Sequence, residues 1–439
     1  MQHHKPLTLR RNFSWIFVGN FVYAACLWGM LVVLSKLGSP EIVGQFTLGL
    51  AVATPVIMFT NLELQVVQAT DAKHQYHFSD YLGLRIISTG VALLAIAAIT
   101  WVAGFRWETS LVILLVGLAK GIEAISEVFH GLFQKYEQMD RIALSKLLKG
   151  PLSLLLLSIG VYISGSLAWG IVGLAVAGTL VLVGYDLHSG ALMLTSSQAM
   201  SQSKRLKWRE LAVILKPRWH PETLSKLVWL ALPLGLGMML ITLNMNMPRY
   251  FIEWYLGERE LGIFAAIAYI MVVGNIVVTA LGNSTVPRLA KYYTAGNKNA
   301  FRTLLLKLLG IAILLGGAIV LVALVAGREL LTLLYQPEYA RHTDLLVWIM
   351  FATGIGYIGN FLLDAMIAAR YLRIQIPLFA SVTVTSAITS YWLIPILGLR
   401  GAAIAMLIAK IIQVIMSLGA LVHALYRFPN HRETGAEPS

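Results

Sequence analysis

The sequence predicts an all-α, polytopic membrane protein with about twelve transmembrane helices, arranged as two six-helix lobes related by a parallel pseudo-two-fold repeat. Three observations carry this. Only 13% of the residues are charged and 58% are hydrophobic, whereas soluble domains run near 25% charged. Apolar runs of about 20 residues, the length an α-helix needs to cross the hydrocarbon, recur from one end to the other. Those runs are too long and continuous for barrel strands, and only helices or closed barrels satisfy their backbone in lipid.

The chain opens with the basic stretch MQHHKPLTLRRNFSW and enters an apolar run at 13–35 with no small-residue cleavage site behind it. A retained first helix is expected, not a signal peptide. Further spans are expected at 41–60, 81–104, 109–133, 142–164 and 166–187, completing a first lobe over 1–187. The long connection 188–225 contains SKRLKWRELAVILKPRW from Ser203. In it Trp208, Leu211, Ile214 and Leu215 share one helical face amid Lys and Arg. That pattern suits a helix on an anionic membrane surface, with a plain basic linker as the alternative. A second lobe over 226–425 holds spans at 226–248, 261–287, 304–326, 343–369, 375–395 and 401–425, followed by a tail at 426–439.

Positive charge orients the spans. With the N-terminus inside, 25 of the 34 Lys and Arg fall to cytoplasmic segments, counting Arg85 at a helix start. Seven lie outside: Lys36, Arg106, Arg249, Arg259, Arg328, Arg341 and Arg400. Lys120 and Lys410 lie within spans. Both termini are therefore expected in the cytoplasm. The same bias explains the net charge of +13 without nucleic acid. The longest outside loops, 247–260 and 327–342, leave no room for a folded extracytoplasmic domain. Cys26 is the sole cysteine, which excludes an internal disulfide and a cysteine metal site. No GxxxxGK[ST] occurs, so an ATP-driven pump would need a separate motor subunit, and no cofactor or metal is expected.

An internal repeat is legible. Leu37-Gly-Ser-Pro-Glu-Ile-Val-Gly-Gln-Phe46 opens the second span and Leu256-Gly-Glu-Arg-Glu-Leu-Gly-Ile-Phe264 the eighth. The sixth and twelfth spans match in GIVGLAVA from Gly170 and GLRGAAIA from Gly398. Two halves with even span counts form a parallel repeat, as in transporters that bind substrate near the bilayer midplane.

The fourth span carries Lys120, Glu123, Glu127 and His130. At about 100° per residue they fall within roughly 80° of arc, with Gly117 and Gly131 nearby for close approach of another group. Each charge facing lipid at mid-bilayer costs about 2.5–3.5 kcal/mol. The stripe must face protein or a water-filled cavity. Glu123 and Glu127 are candidate ion-coupling carboxylates, and His130 joins them unless it is merely interfacial. An internal ion pair from Lys120 to Glu123 or Glu127 is the structural alternative. Lys410 lies at similar depth in the other half, so Lys120 and Lys410 are candidate substrate contacts, one per lobe. Asn244, Asn246 and Arg249 end the seventh span, where Arg249 could receive an anionic group or simply anchor the interface. Asp364, a further coupling candidate, could pair with Arg370. Trp15, Phe17, Tyr23 and Trp28 along the first span read as packing and belt residues more than as a sugar platform.

An ordered set of segments then resembles a known family: RNFSW from Arg11, KLGS from Lys36, VGQFTL from Val43, NLELQVVQATD from Asn61 and YLGLR from Tyr81. MDRIALSK from Met139, NMPRYFIEWYLG from Asn246 and ELGIF from Glu260 continue it. The chain resembles, over about residues 10–425, the polysaccharide flippase branch of the multidrug/oligosaccharidyl-lipid/polysaccharide exporter superfamily. Twelve spans fit that branch better than the fourteen-span peptidoglycan-precursor branch. The resemblance implies two lobes, alternating access, and a sugar chain on undecaprenyl pyrophosphate as substrate. It further implies a bacterial cytoplasmic membrane and a setting of membrane lipids, glycosyltransferases and a polysaccharide polymerase. A multidrug/cation antiporter would want mainly carboxylates in an apolar cavity, and the buried lysines argue against it. A membrane-embedded polymerase or glycosyltransferase would need a substantial outer loop.

Overall fold

The computed structural model describes residues 9–71, 73, 75–196, 208–371 and 374–426, and every regular element among them is helical. In chain order these are α1 (Leu9–Leu37), α2 (Pro40–Asn61), α3 (Leu64–Thr70), α4 (Phe78–Ala103), α5 (Trp107–Lys135), α6 (Met139–Ser164) and α7 (Leu167–Val181). A π turn at Leu182–Asp186 leads into α8 (Leu187–Ser196), then α9 (Trp208–Ile214), α10 (Pro221–Leu256), α11 (Glu258–Tyr269) and α12 (Met271–Thr294). The series ends with α13 (Lys298–Leu334), α14 (Thr343–Ala368), α15 (Gln375–Leu397) and α16 (Leu399–Tyr426).

Ten helical segments among the described residues are long and apolar enough to cross a membrane. The pair α11–α12, bent by 48°, covers the eighth expected span and makes an eleventh if the two helices cross together. The fourth expected span is α5, 29 residues and thus about 43 Å long, enough to cross a core of about 30 Å. Local chemistry sets the ends. Pro40 opens α2 where its missing N–H costs nothing. The His77 N–H donates to Asp80 Oδ2 at 2.9 Å to start α4, and Gly104 and Gly165 close α4 and α6 in the left-handed turn.

The chain divides into two compact units, Met1–Thr242 and Leu243–Ser439. Four helix pairings recur in both. In the first, α5 packs on α2, α4 and α7, and α7 on α6. In the second, α14 packs on α12, α13 and α16, and α16 on α15. The third, fourth, fifth and sixth spans of each half thus meet in one pattern, which gives the sequence repeat a physical counterpart.

The division falls inside α10. Leu227 and Ala231 of α10 join a core with Leu62, Leu64, Tyr81 and Phe129, and Gly235 packs on the Phe59 carbonyl, an approach a Cβ would obstruct. The apolar face expected to lie on a membrane surface belongs to the same core: Leu211 is 3% and Leu215 6% exposed, packed among Phe78, Leu82 and Leu224. The Arg218 N–H donates to the Ser79 carbonyl at 3.0 Å and ties this connection to the start of α4. Burying the leucines against protein removes the apolar stripe that would otherwise need lipid. Ser203 to Lys207 lie outside the described residues.

Candidate functional site

The polar stripe of α5 is held by three other helices, one contact at a time. Lys120 Nζ lies 2.8 Å from Glu123 Oε2, and the other oxygen of Glu123 accepts the Tyr23 hydroxyl of α1 at 2.5 Å. Glu127 Oε2 accepts the Asn61 amide of α2 at 2.7 Å. The Asn61 carbonyl accepts in turn from the guanidinium of Arg85 on α4. Asn61 suits this place because an amide offers a donor to the carboxylate and an acceptor to the guanidinium at once. His130 Nε2 meets Ser145 Oγ of α6 at 3.1 Å.

Backbone geometry delivers these partners. Leu62 and Glu63 take φ of 53° and 48°, a left-handed break that ends α2 at Asn61 and precedes α3. Gly131 lets α3 come close: a Cβ there would stand 2.6 Å from Gln68 and 3.1 Å from Gln65. Further charges surround the stripe. Glu63 and Arg85 act on each other, and Lys146 and Lys149 of α6 both act on Glu123 and Glu127 or their neighbours. Arg85, Lys120, Lys146 and Lys149 thus stand among the carboxylates Glu63, Glu123, Glu127 and Asp186.

Several expectations change here. Lys120 is ion-paired with Glu123, the structural alternative, and not a lone cation. Arg85, assigned to a cytoplasmic helix start, is 1% exposed inside the bundle, and Lys149 is 5% exposed. His130 is 4% exposed, so protein and not water surrounds it. Tyr23, grouped with the packing aromatics, supplies a hydrogen bond to a buried carboxylate. The missed residues had one signal. Asn61, Glu63, Arg85 and Lys149 are polar within two or three turns of a span's cytoplasmic end, a place where charge is commonly excused as interfacial.

At the edge of the same unit a cavity of about 450 Å³ is lined by Val66, Asp71, Tyr76, Tyr81, Leu230 and Leu234 among others. Asp71 there pairs with Lys135 at 3.4 Å and accepts the backbone N–H groups of Gln75 and Tyr76. Burial raises the Asp71 carboxyl, but those two N–H groups and Lys135 outweigh it and hold it below the usual carboxylate range.

In the second unit the polar groups are sparser. Lys410 of α16 donates to Gln413 at 3.2 Å, and its alkyl stem lies against Gly356 of α14. Arg249 donates to Asn246 at 2.8 Å on α10, where Asn244 and Asn246 are 8% and 5% exposed. Asp364 presses its carboxylate on Gly282 of α12, where a Cβ would stand 2.2 Å from Oδ2. Among the described residues Asp364 makes no ion pair with Arg370, which leaves the helix at φ 60° and is exposed. Asp364 instead repeats the place of Glu127. It is residue 22 of α14 as Glu127 is residue 21 of α5, and each meets the second span of its own half. No three His, Cys, Asp or Glu side chains among the described residues converge as metal ligands.

Residues 9–293 match the family described as polysaccharide biosynthesis protein. The chain is 28% identical over 408 residues to the capsular polysaccharide biosynthesis protein CapF of Staphylococcus aureus, covering 92% of this chain and 97% of that one. Among solved structures, an inward-facing multidrug resistance MATE family transporter of the MOP superfamily matches 96% of this chain and 100% of its own, with a TM-score of 0.70 at 16% identity. A MOP superfamily transporter from Pyrococcus furiosus matches with a TM-score of 0.63 at 18% identity, over 94% of each chain. At such identities these structures establish the fold.

Proposed function

The chain belongs to the polysaccharide biosynthesis protein family, and from that premise we propose that it is a flippase. It moves an undecaprenyl-pyrophosphate-linked oligosaccharide from the inner to the outer leaflet of a bacterial cytoplasmic membrane by alternating access, and it changes no covalent bond. One observation carries the reading: a chain of a polysaccharide biosynthesis family has the two-lobe helical fold of exporters. Polysaccharide precursors are built on a lipid and must cross the membrane, and a transporter fold meets that need where a catalytic domain would not. Both termini and the 188–225 connection lie in the cytoplasm, in keeping with the charge bias.

The pyrophosphate needs a cation away from water. Lys120 is already matched by Glu123, whereas the one hydrogen bond of Lys410 among the described residues goes to neutral Gln413. Lys410 is therefore the stronger substrate contact, with Arg249, Asn246 and Asn244 as the outer polar group. Glu123, Glu127 and Asp364 are the carboxylates that couple transport to an ion gradient, and His130 adjoins them. Membrane lipids, glycosyltransferases and a polysaccharide polymerase form the working context. A cation-coupled multidrug antiporter shares the fold, but Lys410 disfavours a cationic drug.

The test is reconstitution. Purified protein in liposomes loaded with lipid-linked oligosaccharide should expose the sugar to an external lectin when a proton or sodium gradient is applied. Glu127→Gln should insert normally and lose the gradient response. Export of a cationic dye with no movement of the oligosaccharide would replace this reading with the antiporter.

A further inference from the structure

The first unit holds a second set of buried polar side chains that transport, as described above, leaves unused. α7 is interrupted at Leu182–Asp186 by a π turn, a widening that re-aims side chains and is frequent at functional positions. Asp186 ends that turn and is 0% exposed. Neither of its carboxylate oxygens meets a donor in good hydrogen-bond geometry among the described residues, although two serine hydroxyls come near. Ser126 of α5 and Ser145 of α6, both 0% exposed, stand beside it. The Ser126 hydroxyl is likewise unpartnered, and Ser145 is engaged with His130.

Lys149 of α6 completes the set. It is 5% exposed and acts electrostatically on Asp186 and on both Glu123 and Glu127. One ammonium is therefore shared electrostatically by three carboxylates. The turn packs on α5 and against its own neighbours α7, which carries no ionisable side chain, and α8, which carries His188. α5 brings Glu123, Glu127, His130 and, through Glu123, Lys120; α6 brings Lys146 and Lys149, with Asp140 and Arg141 nearer its start. α1 contributes Tyr23 through Glu123.

An ionised carboxylate without a hydrogen bond in a closed interior is costly, and it sheds that cost by binding a proton or by drawing in a cation. Lys149 cannot neutralise Asp186 and the glutamates at the same time. We propose that Asp186 is a proton-exchange site, loaded when Lys149 turns toward Glu123 and Glu127 and emptied when it turns back. The balance is simple. A proton from water adds to one carboxylate oxygen, and the neutral acid donates its O–H to Ser126 or Ser145. Release returns the proton to water and leaves the carboxylate facing the ammonium. The bundle gains and loses one charge per cycle, and no bond between heavy atoms changes. The site deepens the gradient-coupled flippase reading and relies on it only for physiological use.

Infrared difference spectra of the full-length protein in lipid vesicles, recorded on acidification, test it directly. Wild-type protein should show the carbonyl stretch of a buried, protonated carboxylic acid. Asp186→Asn should remove one such band, and Glu127→Gln should retain it. Lys149→Met should move the band to higher pH by about one unit, a tenfold gain in proton affinity, because a neighbouring cation favours the carboxylate. Should Asp186→Asn fail to fold, Ser126→Ala serves instead: the band should shift in frequency as its hydrogen-bond partner is lost. A spectrum unchanged by Asp186→Asn, or by Ser126→Ala in its place, overturns the proposal, as does a band whose pH is untouched by Lys149→Met. Failure of the vesicles to move lipid-linked oligosaccharide would end the flippase reading and leave the band in place.

Discussion

Arg85→Met perturbs the first unit at its most buried charge. The guanidinium is 1% exposed and reaches Glu127 through Asn61, so its removal breaks one charge-assisted hydrogen bond and strips Glu127 of a counter-charge. A hydrogen bond to a charged group is worth about 1.5–3 kcal/mol. Removing one member of a buried charged set costs about 3–5 kcal/mol, because the partner stays behind uncompensated. Glu127→Gln should cost a similar amount by stranding Arg85. The double variant leaves neither charge stranded, so it should be more stable than the sum of the singles by about 1–3 kcal/mol. Repeating the cycle in an Asn61→Ala background should shrink that coupling, since the amide is the physical link. Unfolding in mixed micelles of graded denaturing detergent, followed by tryptophan fluorescence, measures all the variants. If the two single costs add to within about 0.5 kcal/mol, the bridge through Asn61 does not couple these charges and the argument is wrong.

Lys120→Ala should impair polymer export, and Glu123→Gln added to it should restore most of the loss if the pair is structural. No rescue would return Lys120 to the list of direct substrate contacts. Lys410→Ala should insert normally yet cut complementation of polymer export at least tenfold, with partial recovery in Lys410→Arg, which keeps charge and changes shape; wild-type export in the alanine variant removes Lys410 from the anion path. Val213→Cys, exposed on α9, should resist a membrane-impermeant thiol reagent in intact cells once Cys26 is replaced, and ready labelling would invert the topology. The depressed Asp71 carboxyl contributes stability that is present above its unfolded pKa of about 3.9 and is lost as pH falls through the lower folded value. Asp71→Asn should therefore be less stable than wild type at pH 7 and lose less on acidification below about pH 4; parallel acid titrations of the two proteins would contradict this.

Periodicity and composition, which act over whole spans, are visible in one dimension. Runs of about 20 apolar residues, the matching Leu-Gly and Gly-rich segments half a chain apart, and the asymmetry of Lys and Arg determined the helical class, the repeat and the expected orientation. The 80° stripe on α5 also showed, before any packing was known, that its four polar groups must meet protein or water. Which groups they meet was decided only by tertiary structure. Tyr23, Asn61 and Ser145 come from three helices, at separations of 100, 66 and 15 residues from their partners, and no local pattern encodes such pairings. Arg85 was counted at a cytoplasmic helix start because hydropathy reads a charge near a span's end as solvated, while the folded chain packs α2 and α5 on its helix and buries it. Leu211 and Leu215 formed an apolar face in the sequence, and whether lipid or protein covers such a face depends on what folds beside it. The left-handed break at Leu62 and Glu63 was silent, since no glycine or proline marks it, and the lone Gly184 inside the π turn that ends at Asp186 is one glycine among many in the spans. Backbone departures of that kind are stabilised by the contacts they create, and those contacts exist only once the helices have assembled.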